Sequence, residues 1–546
     1  MAANEFDVII VGAGSAGATL AARLSEDATR SVLLLEYGLN YTSEQTTPEM
    51  ASIDPYPLEG ADYPPPPGVE MGPYHHSGLM ARRTPAQPPT FLLRGRGTGG
   101  SSAVNGLFAI RPTVEDLDGW AAAGARGWSF GEALPLLRRM ETDLDYGTAD
   151  YHGDAGPIPI GRPAGPDFLP VDEAFREASL AAGHPWAPDH NAPRAHGLSP
   201  YAFNGRYGRR YSTNDAYLEP ARGRPNLTIC GNTIVDKVLF TRGRAVGVSA
   251  LADGALSEYR AQTVVLSAGA VHSPAILLRS GIGPAADLRG LGIDVVSDRP
   301  AGAGVQDHPL ISLVVRLQPG AHGQKPGSRH SRYVIRYGLG LTAEPTDGML
   351  CLLSHAGAPD MCEIFGWLNR TLSQGKISLA SADPREHPVV EQDLLSDPRD
   401  MSRMLAMIAD MVELSRHPAL ARVITSAHLA PGPGDPVGLP LLDRDVSEAE
   451  LTQYVLANLY DAAHISGSCR MGAAGDPASV VDEQGRVLGV DGLRVADASI
   501  FPWVPSANTH LSSVLVGEKI ADLMRGGGAP GAAGPAGSRQ ATGTGS

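Results

Sequence analysis

Residues 12–17 read Gly-Ala-Gly-Ser-Ala-Gly, and they constrain the fold more than any other stretch. The apolar run Phe6 to Val11 precedes them, and Ala16 to Leu24 carries a helical pattern. Such a strand–turn–helix leaves narrow roles for its glycines. Gly12 permits the tight turn, Gly14 lets bare backbone approach a pyrophosphate, and Gly17 lets helix and strand pack closely. Ser15 and Ala16 open the helix, whose first N–H groups face the phosphates. A second strand, Ser31 to Leu35, ends at Glu36, close to the twenty-residue offset of a ribose-binding carboxylate. The unit predicts a bound dinucleotide. Because a carboxylate repels a 2′-phosphate, and Tyr37 and Gly38 follow it rather than an arginine, NADP is not expected.

At 546 residues the chain is too long for one compact core. A net charge of -15 argues against nucleic acid and anionic membrane surfaces, which attract clustered Lys and Arg. Cys230, Cys351, Cys362 and Cys469 form no C-x-x-C pair, so reduced thiols and a cytoplasmic location are expected. No secretory signal and no membrane span are expected.

Residues 40–90 are proline-rich, with a run at Pro64–Pro67, and read as a surface excursion. Val264 to Leu266 and Leu493 to Asp497 read as further strands, Pro274 to Ser280 and Leu511 to Met524 as helices. Between 311 and 458 the pattern changes. Short alternating stretches (311–317, 349–354, 376–380) precede an amphipathic helix over 401–416, which predicts a separate sheet-plus-helix unit. The tail from Gly526 has the composition of a disordered segment.

Four stretches carry a family resemblance. Residues 94–118 begin Arg-Gly-Arg-Gly-Thr-Gly-Gly-Ser-Ser-Ala-Val-Asn-Gly, and 269–283 read Gly-Ala-Val-His-Ser-Pro-Ala-Ile-Leu-Leu-Arg-Ser-Gly-Ile-Gly. His464-Ile-Ser-Gly-Ser-Cys-Arg-Met-Gly follows, then Gly492 to Ser499 with Asn508-Thr509-His510. Together, in this order, they resemble the glucose–methanol–choline (GMC) oxidoreductases. The resemblance implies an α/β class: a Rossmann-like FAD-binding domain and a discontinuous α+β domain built on an antiparallel sheet flanked by helices. The expected boundaries are 1–165, 215–310 and 460–526 for the first, 166–214 and 311–459 for the second, and a tail at 527–546. It further implies FAD as cofactor, a small-molecule alcohol as substrate, and oxygen, a quinone or another acceptor for the electrons. Thr98, Gly99, Asn105 and Gly106 would follow the pyrophosphate and flavin, and Val235 would hold the adenine through its backbone. Asp497 would lie near the ribitol, and Asn508 and Thr509 along the flavin. Some members attach FAD through a histidine where this chain has Val104, so the FAD is expected to be noncovalent. Thr98 replaces an aliphatic residue common in the first signature. Choline oxidases carry a pocket glutamate where Leu310 follows Asp307-His308-Pro309, which speaks against choline itself.

Removing a hydride from a carbinol carbon requires a base within reach of the hydroxyl, and an imidazole suits near-neutral pH. His464 is expected to be that base and His510 its partner, with a helix beginning near His510, capped by Ser506 or Asn508, aimed at the flavin. His308 reads as a loop residue. Metal binding at His75-His76 is not expected, no carboxylate standing at ligand spacing. A lyase splitting cyanohydrins on the same fold, and a flavoprotein passing electrons to a partner, stay open as alternatives.

Overall fold

The computed structural model describes residues 5–53, 72–252, 254–321, 329–342, 344–354, 358, 360–430, 438–441 and 446–526. The four-proline run and the expected tail lie outside them.

The strand Glu5–Val11 sits at the centre of a seven-stranded sheet. It pairs in parallel with Val32–Leu35 on one side and Ala255–Leu266 on the other. Leu227–Cys230 and Leu493–Val495 extend the parallel part. A continuous apolar run suits such a strand, because both faces are covered, and Val8 to Val11 are at most 4% exposed. The expected strand at 264–266 is the buried end of a longer one. Its first residues alternate and pair antiparallel with Arg244–Ala252, which pairs in turn with Thr233–Thr241.

Two glycines and one carboxylate fix the helices on this sheet. A Cβ at Gly17 would lie 1.9 Å from the Gly12 carbonyl oxygen, so the helix Ser15–Leu24 reaches its strand only through glycine. A Cβ at Gly517 would lie 2.6 Å from the Ala16 oxygen, and this close approach seats the helix Thr509–Arg525 against Ser15–Leu24. The fully buried Glu518 carboxylate, one residue on, accepts from Arg23 Nε, Arg139 Nη2 and the Tyr217 hydroxyl. Removing one partner of such a buried pair costs about 3–5 kcal/mol.

A second, eight-stranded antiparallel sheet has Pro309–Leu317 and Met361–Leu368 near its middle. Gly348–Ser354, Ser331–Tyr337 and Gly197–Pro200 continue one side, and Ile424–Leu429 the other. The helix Pro398–Arg416 covers one face with Met404, Met407, Ile408 and Met411. A Cβ at Gly366 would meet the Met407 sulfur at 2.7 Å, so helix and sheet are in close contact.

Two stretches differ from expectation. Gly375–Ser378, within the range assigned to the second domain, joins neither large sheet. It pairs with Ala303–Val305 and Val389–Glu391, and the latter with Met80–Arg82. Strand alternation reveals a strand but not its sheet, which is why pattern alone misplaced it. The 40–90 stretch likewise contains a short helix, Pro48–Ala51, and that paired strand.

Candidate active site

The two sheets face each other across a cavity of about 990 Å³ that runs from the glycine turn to His464. Alternation along the strands decides what lines it. Leu310, Ser312 and Val314 share one face with Phe365 and Trp367, and that face forms the far wall, with Phe108 and Leu353 nearby.

Of the expected residues, Gly12, Gly14, Ser15, Ala16, Glu36, Asn105, Gly106, Val235, Asp497, Asn508, Thr509, His464 and His510 line this cavity. Gly17, Thr98 and Gly99 do not. Gly17 is spent on helix packing. Thr98 is fully buried, its hydroxyl bonded to the Tyr41 backbone. Gly99, in a left-handed turn, donates its N–H to the Ala13 carbonyl and so docks the second glycine loop on the first. Their contribution is to the scaffold behind the wall.

Two carboxylates on the wall already hold protein donors. Glu36 accepts from the N–H groups of Ala13, Gly38 and Gly97 at 2.8–3.0 Å. Burial pushes its pKa up, against these amide bonds. Asp497 accepts from Gly269 N–H, Ser499 N–H and the Ser273 hydroxyl, and burial raises its pKa as well.

At the opposite end, His464 Nε2 lies 3.1 Å from Asn508 Nδ2, and His464 Nδ1 lies 2.9 Å from His308 Nδ1. The expected partner, His510, makes a different contact: its Nδ1 is 2.9 Å from the Ser15 hydroxyl. Asn508 is the N-cap residue of Thr509–Arg525, yet its side chain makes no cap bond and turns to His464 instead. Ser506 bonds Asp116. Burial holds all three imidazoles neutral: His308 and His510 are pushed down to about 4, and His464 falls well below its ordinary value, with the Arg94 charge adding to the effect.

His308, read from the sequence as a loop residue, stands with its ring against His464. Its ring also meets the Pro505 carbonyl through Nε2 at 3.0 Å, so it is more than a loop contact. The signal was present in Asp307-His308, but only the fold brings it to His464. The fold also gathers His76, His272 and His387, from segments far apart in sequence, at the cavity wall beside Tyr37. Their ring nitrogens lie within 4.8 Å of one another, and His272 Nε2 and His387 Nδ1 are 3.4 Å apart.

Comparison with known proteins gives this geometry its class. Family models described as GMC oxidoreductase match residues 6–310 and 371–517. The chain is 39% identical over 539 residues to the 5-(hydroxymethyl)furfural oxidase of Methylovorus sp. (strain MP688), covering 95% of this chain and 98% of that one. It is 36% identical over 567 residues to the oxygen-dependent choline dehydrogenase of Pseudomonas aeruginosa (strain LESB58), covering 96% and 95%. The crystal structure of pyridoxine 4-oxidase from Mesorbium loti superposes with a TM-score of 0.84 at 27% identity, covering 95% of this chain and 99% of that one. The chain belongs to the GMC oxidoreductase family, and it is an FAD-dependent oxidoreductase acting on alcohols. Among the described residues no helix is long and apolar enough to cross a membrane.

The cavity fits FAD on its own terms. Gly14 has an ordinary φ of -79°, and a Cβ there would meet only Gly100 Cα, at 3.9 Å. The chain itself does not require glycine at 14; bare backbone there serves something that occupies the cavity. On the same cavity wall, Asn508 Oδ1 and His510 Nε2 are buried with no protein partner. Glycine turn, helix start and Glu36 would hold the dinucleotide part.

Proposed function

We propose that this protein oxidises a primary hydroxymethyl group on a flat, largely apolar ring, with His464 as base and FAD bound without a covalent link. FAD held in the cavity supplies the hydride acceptor. His464 Nε2, kept neutral by burial, accepts a hydrogen bond from the substrate hydroxyl and takes its proton. The Asn508 Nδ2–H that faces His464 Nε2 turns to the substrate oxygen when the hydroxyl takes its place, and there it steadies the charge that develops. The aromatic and aliphatic faces of Phe108, Leu310, Phe365 and Trp367 exclude water and hold the ring by contact. The relatives named for 5-(hydroxymethyl)furfural and pyridoxine favour a ring-borne substrate over a small cation, as does the apolar Leu310.

The observation that carries this reading is the His464 ring on the cavity wall with its Nε2 3.1 Å from Asn508 Nδ2. The test is anaerobic bleaching of the purified flavoprotein against a panel of alcohols. Ring-borne hydroxymethyl compounds should bleach it fastest, and air should restore the colour if oxygen is the acceptor. His464→Ala should slow bleaching by about 10²–10⁴-fold; full-rate bleaching by that variant sinks the assignment. Val104, at 2% exposure on the wall, offers no nucleophile for a covalent bond. Acid precipitation should therefore leave all flavin absorbance in the supernatant.

A further inference from the structure

We propose that His308 is a positioning residue that fixes the tautomer of His464, keeping the proton on Nδ1 and the Nε2 lone pair on the cavity. The argument is a chain of three contacts with one consistent proton assignment. It starts at the Pro505 carbonyl, which can only accept. His308 Nε2 lies 3.0 Å from that oxygen and must carry the hydrogen. The ring is fully buried and neutral, so its Nδ1 is then a lone pair. The His464 Nδ1 facing it at 2.9 Å must in turn be the donor. That leaves His464 Nε2 unprotonated, opposite the Asn508 amide at 3.1 Å, with the Asn508 NH₂ turned toward it. Reversing any link sets two lone pairs or two hydrogens against each other. A backbone carbonyl at residue 505 thus determines which edge of His464 can receive a proton.

The backbones are clamped to match. Asp307 Oδ1 accepts the N–H of both His308, at 2.7 Å, and His464, at 2.8 Å, while Asp307 Oδ2 accepts from Gln392 Nε2. One carboxylate oxygen therefore holds together two segments 156 residues apart, and the ring-to-ring contact follows. Burial and the neighbouring Asp461 charge raise the Asp307 pKa. The other charged groups close by are Arg94, whose guanidinium donates to the Ala463 carbonyl, and Arg83, which pairs with Asp461. When Nε2 gains the substrate proton, Nδ1–H keeps its acceptor in His308 Nδ1.

The rate consequence rests on His464 being the base; the tautomer itself does not, and the experiment separates them. Holoenzyme labelled with ¹⁵N-histidine should give a pyridine-like Nε2 and a pyrrole-like Nδ1 for His464, assigned by their loss in His464→Gln. In His308→Leu these two signals should average. Anaerobic flavin reduction by that variant should fall on the order of 10²–10⁴-fold in kcat, with KM within about threefold. His308→Asn, whose Oδ1 can accept from Nδ1–H, should recover at least about tenfold over His308→Leu. A pyrrole-like Nε2 in the wild-type spectrum overturns the inference without any variant. So does a slow His308→Leu whose Nε2 stays pyridine-like, since that makes His308 a packing residue. Full activity in His464→Gln would instead remove the base reading and leave the tautomer assignment standing.

Discussion

Asn508 gives up a capping bond to reach His464. An N-cap side chain ordinarily contributes about 0.5–2 kcal/mol to its helix, but here it makes no cap bond. Its removal should separate catalysis from stability. In Asn508→Ala, anaerobic flavin reduction should slow by about 10²–10³-fold, the range for losing a donor to a developing oxyanion. Stability should change by less than about 1 kcal/mol, read as a small shift in Tm. A large loss of Tm with an unchanged rate would count against the assigned role. The same position shows where sequence reading stopped. His464, Asn508 and His510 all stood out in their motifs, but the pairing did not. Asn508, the N-cap residue, is still extended while His510 lies in the first helical turn of Thr509–Arg525, and the change of backbone sends their side chains to different neighbours. Asn508 turns to His464 and His510 to Ser15. Nothing in the spacing of letters says which of the two faces the base.

At the scale of elements, the strand–turn–helix unit was legible because its glycines meet hard steric limits. Two of them differ in kind, and this is testable. Gly17→Ala places a Cβ 1.9 Å from the Gly12 oxygen; the helix must leave the strand, so the variant should lose solubility or bind no flavin. Gly14→Ala has ordinary backbone angles and open space around it. Its apoprotein should melt within a degree or two of the wild type, yet bind FAD at least about tenfold more weakly, measured by quenching of flavin fluorescence. Equal affinity in Gly14→Ala would mean that the cofactor does not approach that backbone. What stayed illegible was assembly between elements. The pairing of Met80–Arg82 with Val389–Glu391 joins segments some 300 residues apart through only two residue pairs, too short a register for alternation to encode.

For the molecule as a whole, its neutral buried imidazoles make acid the vulnerable side. Burial lowers His75, His308 and His510 to about 4 and His76 to about 3, and takes His190, His272 and His464 well below the ordinary value. The unfolded chain protonates these groups near pH 6.5 and the folded chain does not. Their contribution is therefore complete above about pH 6.5 and is lost as pH falls toward 4, at up to about 1.4 kcal/mol per unit for each group. The carboxyls that burial raises (Glu36, Asp116, Asp172, Asp236, Asp307, Asp410 and Asp497) work the other way, as does His152, raised against its burial by Asp189 and Glu141. Asp307, raised to about 8, and Asp172, raised to about 6, are protonated in the folded state before they are in the unfolded one, so they add stability over part of the same range. Between pH 7 and pH 5 every one of the lowered imidazoles takes up a proton in the unfolded chain alone, whereas among the opposing carboxyls only Asp172 and Asp307 are raised to values near that interval, so Tm should drop steadily across it. Because His76, His272, His464 and His510 line the cavity, flavin release on acidification should follow the same curve, visible as rising free-flavin fluorescence. A Tm that is level across that interval would show that these imidazoles are not kept neutral by burial, and the unprotonated state of His464 would lose its physical basis.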